Sequence, residues 1–114
     1  MPVAKFNSDE AMEAFARLVD ELRDGGLPVE RGTMMGRPIL KVGGTMIAAL
    51  SHDALGFKLG AGTPEHTAAL AVEGADLFDP SLRDRPFKDW VAVPVAHADT
   101  WSDFAAAALA FVAR

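Results

Sequence analysis

The 114 residues include 16 acidic and 11 basic side chains, so the formal net charge is −5, and half of the residues are hydrophobic. A chain of this length and composition is one globular domain that can bury a core without covalent cross-links. The absence of cysteine excludes thiol nucleophiles, disulfides and cysteine-ligated metal sites. No apolar run approaches the roughly 20 residues of a membrane span, and the first residues lack the apolar segment of a secretory signal. We therefore expect a single cytoplasmic domain over residues 1–114, with no membrane partner.

An amphipathic helix is predicted over residues 8–24. Its apolar face consists of Met12, Phe15, Leu18, Val19 and Leu22. Asn7 is the expected N-cap because Glu10 follows three residues later, as in a capping box. The pair Gly25-Gly26 ends the helix.

Short β-strand patterns follow this helix. We predict strands over residues 29–33, 38–42, 45–50 and 54–59. The second and third are joined by Gly43-Gly44, two residues that readily adopt the positive φ angles of a tight hairpin turn. Consecutive short strands connected in this way predict an antiparallel meander.

The second half of the chain returns to helical patterns. A short helix is predicted over residues 63–72, an irregular charged loop over 77–89, and a final strand over 90–95 in which Pro94 indicates an edge or a bulge. Thr100 is the expected cap of a last helix. This order predicts an α+β two-layer sandwich, in which an antiparallel sheet of about five strands has its helices packed on one face.

Several short runs carry a resemblance to a known family. They are Met34-Met35-Gly36-Arg37-Pro38-Ile39-Leu40, Met46-Ile47-Ala48-Ala49-Leu50, Phe78-Asp79-Pro80 and Arg85-Pro86-Phe87-Lys88-Asp89-Trp90-Val91-Ala92-Val93-Pro94. With them, the chain from Met34 onward resembles the TfoX N-terminal-domain family and the related YjbR-like (MmcQ) proteins. It departs from the family pattern at Met35, where phenylalanine is common, and at Phe87, where methionine is common.

The resemblance implies the same two-layer sandwich and a regulatory role. The TfoX family is linked to the control of DNA uptake and competence, and YjbR-like proteins are often labelled DNA-binding. The family supplies no established catalytic residues that could be carried over to this chain.

Residue patterns that would indicate catalysis or a metal site are weak. The three histidines, His52, His66 and His97, lack the spacing of metal ligands and are expected on the surface or at caps. The run Ser51-His52-Asp53 contains the residue types of a catalytic triad, but triad residues normally converge from separate elements, so a polar turn is the better interpretation. The run Gly60–Pro64 lacks the remaining residues of a phosphate-binding motif and is interpreted as a strand-to-helix connection.

Two groups of residues are candidates for binding. The first is a basic and aromatic group in the charged loop: Arg83, Arg85, Lys88 and Trp90. It could hold an anion, a nucleic-acid backbone or an acidic protein surface, although Asp84 and Asp89 reduce its local positive charge. The alternative is an ordered loop whose charges pair with each other and whose tryptophan is buried. The second group, Met34, Met35 and Met46, could line an adaptable apolar groove or simply fill the core.

From the sequence we predict a non-enzymatic regulatory or adaptor domain that acts by contact with another protein or with a second copy of itself. No catalytic residues, metal or cofactor are predicted. Two alternatives remain: nucleic-acid binding through the 83–90 loop, and a small-molecule site between the sheet and the helices. The negative net charge argues against nucleic acid, because phosphate neutralisation supplies most of the affinity of such proteins.

Overall fold

The computed structural model describes residues 7–80 and 85–113. The elements, in chain order, are α1 (Asp9–Asp24), β1 (Glu30–Met34), β2 (Arg37–Val42), β3 (Thr45–Ser51), β4 (Ala54–Lys58), α2 (Pro64–Leu70), β5 (Asp76–Phe78), β6 (Phe87–Pro94), a 3-10 segment (Val95–Thr100) and α3 (Trp101–Val112). They confirm the predicted α+β sandwich: one antiparallel sheet with the helices packed on it. The sheet has six strands in the order β1-β2-β3-β4-β6-β5.

The first four strands form the predicted meander, with three tight turns between them. Positive φ angles occur at both central residues of each turn: Met35-Gly36, Gly43-Gly44 and His52-Asp53. Two-residue turns of this kind match the right-handed twist of the strands that they join, so β1 to β4 pair consecutively and antiparallel, with one register shift between Leu40 and Lys41 in the β2–β3 pair.

The main core lies between the sheet and the three helices. Its largest fully buried side chains include Phe15, Leu40, Leu50, Leu55, Phe57, Val91 and Trp101. Each such side chain contributes about 1.5–3 kcal/mol by leaving water. Trp101 also satisfies its indole N–H by donating to the carbonyl oxygen of Val93 at 3.1 Å, which ties α3 to the underlying strand.

A second buried cluster lies on the opposite face of the sheet. It consists of Ile39, Ala49, Phe78 and Trp90, with Met34, Met46 and Ala92 packed against it. All seven residues belong to strands, and in the described part of the chain no helix contributes to this cluster. We call this side of the sheet the open face.

The start of α1 differs from the sequence prediction. Ser8, not Asn7, is the N-cap, and its hydroxyl accepts a hydrogen bond from the Ala11 N–H at 3.1 Å. Asn7 is instead buried against the β3–β4 turn, where its side chain donates to the Leu50 carbonyl oxygen and accepts from the Asp53 N–H. The long-range bonds therefore decide the position of Asn7, and the cap moves one residue along the chain.

The segment after α2 also differs. The predicted irregular loop contains β5, and β6 begins at Phe87, three residues earlier than expected. Strand β6 is not an edge strand, because it lies between β4 and β5. However, β5 pairs with β6 only as far as Ala92. Pro94 therefore needs no backbone hydrogen bond to β5. Thr100 does not cap α3 with its side chain, because its hydroxyl donates to the His97 carbonyl oxygen within the preceding 3-10 segment.

Candidate functional site

The open face exposes large apolar side chains. Met35, in the β1–β2 turn, has 82% of its surface exposed, and Phe87, at the start of β6, has 41% exposed. Met34, next to that turn, and Met46, at the opposite end of β2, are half-buried and pack against the strand cluster. Methionine surfaces are adaptable, and contiguous exposed apolar residues are typical of interaction surfaces.

Met35 combines exposure with backbone strain. Its φ angle is +51°, a conformation that residues with a Cβ rarely adopt and that asparagine or glycine would occupy more easily. The side chain of Met35 gains little burial in return. Strained positions of this kind cluster at functional sites, so Met35 marks the β1–β2 turn as part of the candidate surface.

Three aromatic rings form one group on the open face. The rings of Phe78 and Trp90 are stacked, with centroids 5.7 Å apart and planes inclined by 27°. Phe87 meets both rings edge-on, at 5.8 Å and 6.2 Å. Because Trp90 is only 7% exposed and is stacked on Phe78, Phe87 alone presents aromatic surface to solvent.

Two lysines border this apolar surface. Lys41 lies opposite Met46 in the β2–β3 register, and Lys58 lies opposite Trp90 in the β4–β6 register. Both side chains are half-buried, and within residues 7–80 and 85–113 neither ammonium forms an ion pair. Glu30 is the cross-strand neighbour of Lys41 at the sheet edge, yet it is not paired with that lysine. The lysines thus supply positive charge next to methionine and aromatic side chains.

Arg37 connects three segments at the other end of the open face. Its Nε donates to the Ser51 hydroxyl at 2.9 Å, Nη2 donates to the Pro80 carbonyl oxygen at 3.1 Å, and Nη1 donates to the Met35 carbonyl oxygen at 3.3 Å. The guanidinium therefore holds the β1–β2 turn and the segment after β5 against β3. This residue has a positioning role that the sequence analysis did not anticipate.

A cleft of about 320 Å³ lies beside Arg37. It is lined by Ser51, His52, Ala54, Gly74, Asp76, Leu77, Phe78, Asp79, Pro80 and Ala92. The Ser51 hydroxyl and the His52 Nδ1 lie 2.9 Å apart, within hydrogen-bond distance. The cleft has a polar end near the β3–β4 turn and an apolar end near Phe78.

The residues Ser51, His52 and Asp53 are not arranged as a catalytic triad. The Asp53 carboxylate accepts from the Ser8 N–H at 2.6 Å, so it is directed to the start of α1. Ser51 is 3% exposed, and its hydroxyl is already hydrogen bonded to Arg37. These contacts support the interpretation of the three residues as a polar turn.

The glycine-rich connection after β4 has its amides occupied. The Asp89 carbonyl oxygen accepts from Leu59 and Gly60, and its carboxylate accepts from the Ala61 N–H at 2.9 Å. Thr63 caps α2 by accepting from the His66 N–H. A carboxylate of the protein itself therefore lies where a bound phosphate would need these donors.

Of the four basic and aromatic residues singled out in the sequence, the three that the structure describes have separate environments. Arg85 is exposed, and its backbone N–H donates to the Asp79 carboxylate; Lys88 is exposed, and its carbonyl oxygen accepts from His66 Nε2 at 2.8 Å. Trp90 belongs to the buried strand cluster. Arg83 lies outside the described residues. The histidines were expected on the surface or at caps; His66 is buried and lies in the first turn of α2, where its N–H donates to the N-cap Thr63.

Sequence reasoning missed the residues that give the open face its character. Ile39, Lys41, Lys58 and Phe78 were each assigned to a strand or loop without a role. The alternation in β4 did place Lys58 opposite to Leu55 and Phe57 in the sheet, but only the strand order shows that Lys58 shares a face with Trp90.

Two negative findings apply to residues 7–80 and 85–113. In these ranges no three histidine, aspartate or glutamate side chains converge as metal ligands would. None of the helices in the same ranges is long and apolar enough to cross a bilayer.

The chain matches no protein-family model, and neither curated proteins nor solved structures gave a match. The resemblance to the TfoX N-terminal-domain and YjbR-like families therefore stays a prediction.

Proposed function

We propose that this chain is a non-enzymatic regulatory or adaptor domain that binds another protein through its open face. The observation that carries the proposal is Met35, an apolar side chain that is 82% exposed and held at a φ of +51°. Both features are unfavourable for an isolated domain, so a role in binding gives the best physical account of them.

The surroundings of Met35 support the same proposal. Met34 precedes it and packs against the strand cluster of the open face, and Arg37 holds the Met35 carbonyl group in place through a guanidinium hydrogen bond. A docking surface that is already ordered loses less conformational entropy when its partner binds. The strands beneath it provide that order.

Nucleic-acid binding is less well supported by this geometry. Proteins that bind single strands stack bases on free aromatic faces, but Trp90 and Phe78 are stacked on each other and nearly buried. The net charge of −5 also repels a polyanion.

The test is affinity capture by the tagged chain from a lysate of its own cells, with and without nuclease treatment. Wild type is compared with two variants that carry the same change at different places, Met35→Gln in the β1–β2 turn and Met12→Gln on α1. Met12 is the matched control because it is also a partly exposed methionine, at 38%.

A protein that is retained by the wild type and by Met12→Gln but lost with Met35→Gln is the expected result. If all three chains capture the same proteins, or none, the proposal is wrong. Material that disappears only on nuclease treatment would instead favour nucleic-acid binding.

A second candidate function is small-ligand binding in the cleft beside Ser51. Its volume of about 320 Å³ lies at the lower end of the range for ligand sites, roughly 300–1,000 Å³. A thermal-shift screen of common metabolites tests it. Stabilisation by a compound, abolished by Ala92→Leu in the cleft floor, would support this function, and a screen without hits would exclude it.

A further inference from the structure

We infer that the open face binds an acidic amphipathic segment of its partner protein. This inference rests on the proposed function and adds the chemistry of the partner. It comes from the combination of half-buried lysines, which form no ion pair within the described residues, with methionine and aromatic side chains on one face of the sheet.

The lysines are placed to receive carboxylates on either side of an apolar contact. Lys41 and Lys58 lie on β2 and β4, and β3, which carries Met46, runs between them. Strands are spaced by about 4.8 Å, so the two lysine strands are about 10 Å apart. In a helix, residues i and i+7 are separated by about 10.5 Å and lie on the same side. Two acidic residues with that spacing match the separation of the two lysine backbones, and the long lysine side chains bridge the remaining distance while the apolar residues between the acids contact Met46.

The stem of Lys41 strengthens this match. The Lys41 side chain extends over Gly32, where its Cε lies 3.4 Å from the position that a Cβ of Gly32 would occupy. A long basic side chain that covers apolar surface can contribute packing as well as charge to a contact. The surface thus favours a partner with both carboxylates and large apolar side chains.

The distribution of charge over the whole domain favours the same face. Helix α1, in the other layer, carries six acidic and two basic residues, so its exposed side repels an acidic segment. The strands of the open face carry three basic residues, Arg37, Lys41 and Lys58, and two acidic residues, Glu30 and Asp76. An acidic partner is therefore directed away from the helices and towards the sheet, since electrostatic complementarity selects orientation as well as affinity.

The experiment uses fluorescence anisotropy with the full chain and a set of labelled helical peptides of about 14 residues, which is four turns. Each peptide carries leucine and methionine on one side and glutamate at positions i and i+7. A matched set replaces the glutamates by glutamine. We expect the acidic peptides to bind and the glutamine peptides to bind more weakly. Added salt should weaken the binding of the acidic peptides and leave that of the glutamine peptides unchanged.

Charge reversal on the protein provides the matched control. Lys58→Glu should raise the Kd of the acidic peptides about fivefold, the ratio that corresponds to about 1 kcal/mol for an exposed ion pair. Arg17→Glu makes the same change in net charge on α1 and should leave the Kd unchanged. Circular dichroism checks that both variants are folded.

The inference is wrong if no acidic peptide binds at concentrations up to about 1 mM, or if the acidic and glutamine peptides bind equally. Equal effects of Lys58→Glu and Arg17→Glu would also contradict it. If single-stranded DNA binds more tightly than the acidic peptides, the surface is assigned to nucleic acid. If light scattering shows a dimer that the Lys58→Glu substitution dissociates, the surface is assigned to a second copy of the chain. In each of these cases the capture experiment with Met35→Gln decides the proposed function separately.

Discussion

The ring of Phe78 lies directly against the backbone of Gly56. A Cβ on Gly56 would approach the nearest carbon of that ring to 2.6 Å, closer than side-chain atoms pack. The glycine in β4 therefore allows β5, a strand of three residues, to place its aromatic ring over the centre of the sheet. Because Phe78 is stacked on Trp90, this close approach fixes the position of the aromatic group on the open face.

The substitution Gly56→Ala should destabilise the protein. The methyl group would displace the Phe78 ring, and overpacking of this kind typically costs about 1–3 kcal/mol. Urea unfolding followed by circular dichroism measures the change. Gly25→Ala is the control: its Cβ meets only carbonyl oxygens at 3.5 Å, so its free energy of unfolding should stay close to that of the wild type. Equal stability of the two variants would show that Phe78 is not held against Gly56.

Asn7 is expected to contribute more to stability than Ser8. Asn7→Ala removes two hydrogen bonds to backbone groups, the buried Leu50 carbonyl and the partly buried Asp53 N–H, and should cost about 2–3 kcal/mol. Ser8→Ala removes one helix cap and should cost about 1 kcal/mol. Thermal unfolding of the two variants compares them directly. The reverse order would mean that Asn7 acts as the helix cap after all.

The fold could be predicted from the sequence wherever the signal is local. Apolar periodicity located α1, and Gly43-Gly44 located a hairpin, to within one or two residues. The errors arose where distant partners decide the structure. Asn7 is held by β3 and its turn, and β5 was missed because three residues in a charged stretch form a strand only when β6 is available as a partner.

The candidate surface could be predicted only in part, for the same reason. The methionines Met34, Met35 and Met46 were recognised as candidates for an apolar groove, and the structure places all three on the open face or its turn. The pairing of Lys58 with Trp90 depends on β6 lying next to β4 across more than 30 residues of chain. No local pattern contains that information.

Arg37 is expected to be essential for the order of the open face. Arg37→Ala removes hydrogen bonds to Ser51, Pro80 and Met35 and should lower the free energy of unfolding by about 2–4 kcal/mol. Arg37→Lys should recover little of this loss, because one ammonium cannot reach acceptors in three directions. Urea unfolding of both variants provides the measurement. A lysine variant as stable as the wild type would contradict the role of the planar guanidinium.

Ser51 should not react with serine-directed phosphonate probes. Its hydroxyl is engaged by Arg37, the residue is nearly buried, and the Asp53 carboxylate is directed to Ser8. Mass spectrometry of the protein after incubation with such a probe should show the unmodified mass. Labelling that disappears in Ser51→Ala would overturn the assignment of this turn as structural and would reopen the question of catalysis.

Met35 gives the prediction that best separates stability from function. Met35→Asn places a residue that tolerates positive φ in a turn that requires it, and removes an apolar side chain from water. The free energy of unfolding should therefore rise by about 0.5–1 kcal/mol, a gain typical of improved turn residues. Partner capture should nevertheless decrease, because the docking surface loses its most exposed apolar group.

Met35→Leu is the control for this prediction, since it keeps an apolar side chain at the same strained position. It should bind the partner as the wild type does and should show the same free energy of unfolding within about 0.5 kcal/mol. If Met35→Asn is less stable than the wild type, the methionine side chain contributes packing to the domain and the argument from strain fails. If Met35→Asn is more stable and captures the partner equally well, methionine is simply an unfavourable residue for this turn, and the docking surface lies elsewhere. A gain in stability together with a loss of capture is the one combination in which the domain tolerates strain at Met35 in order to bind its partner.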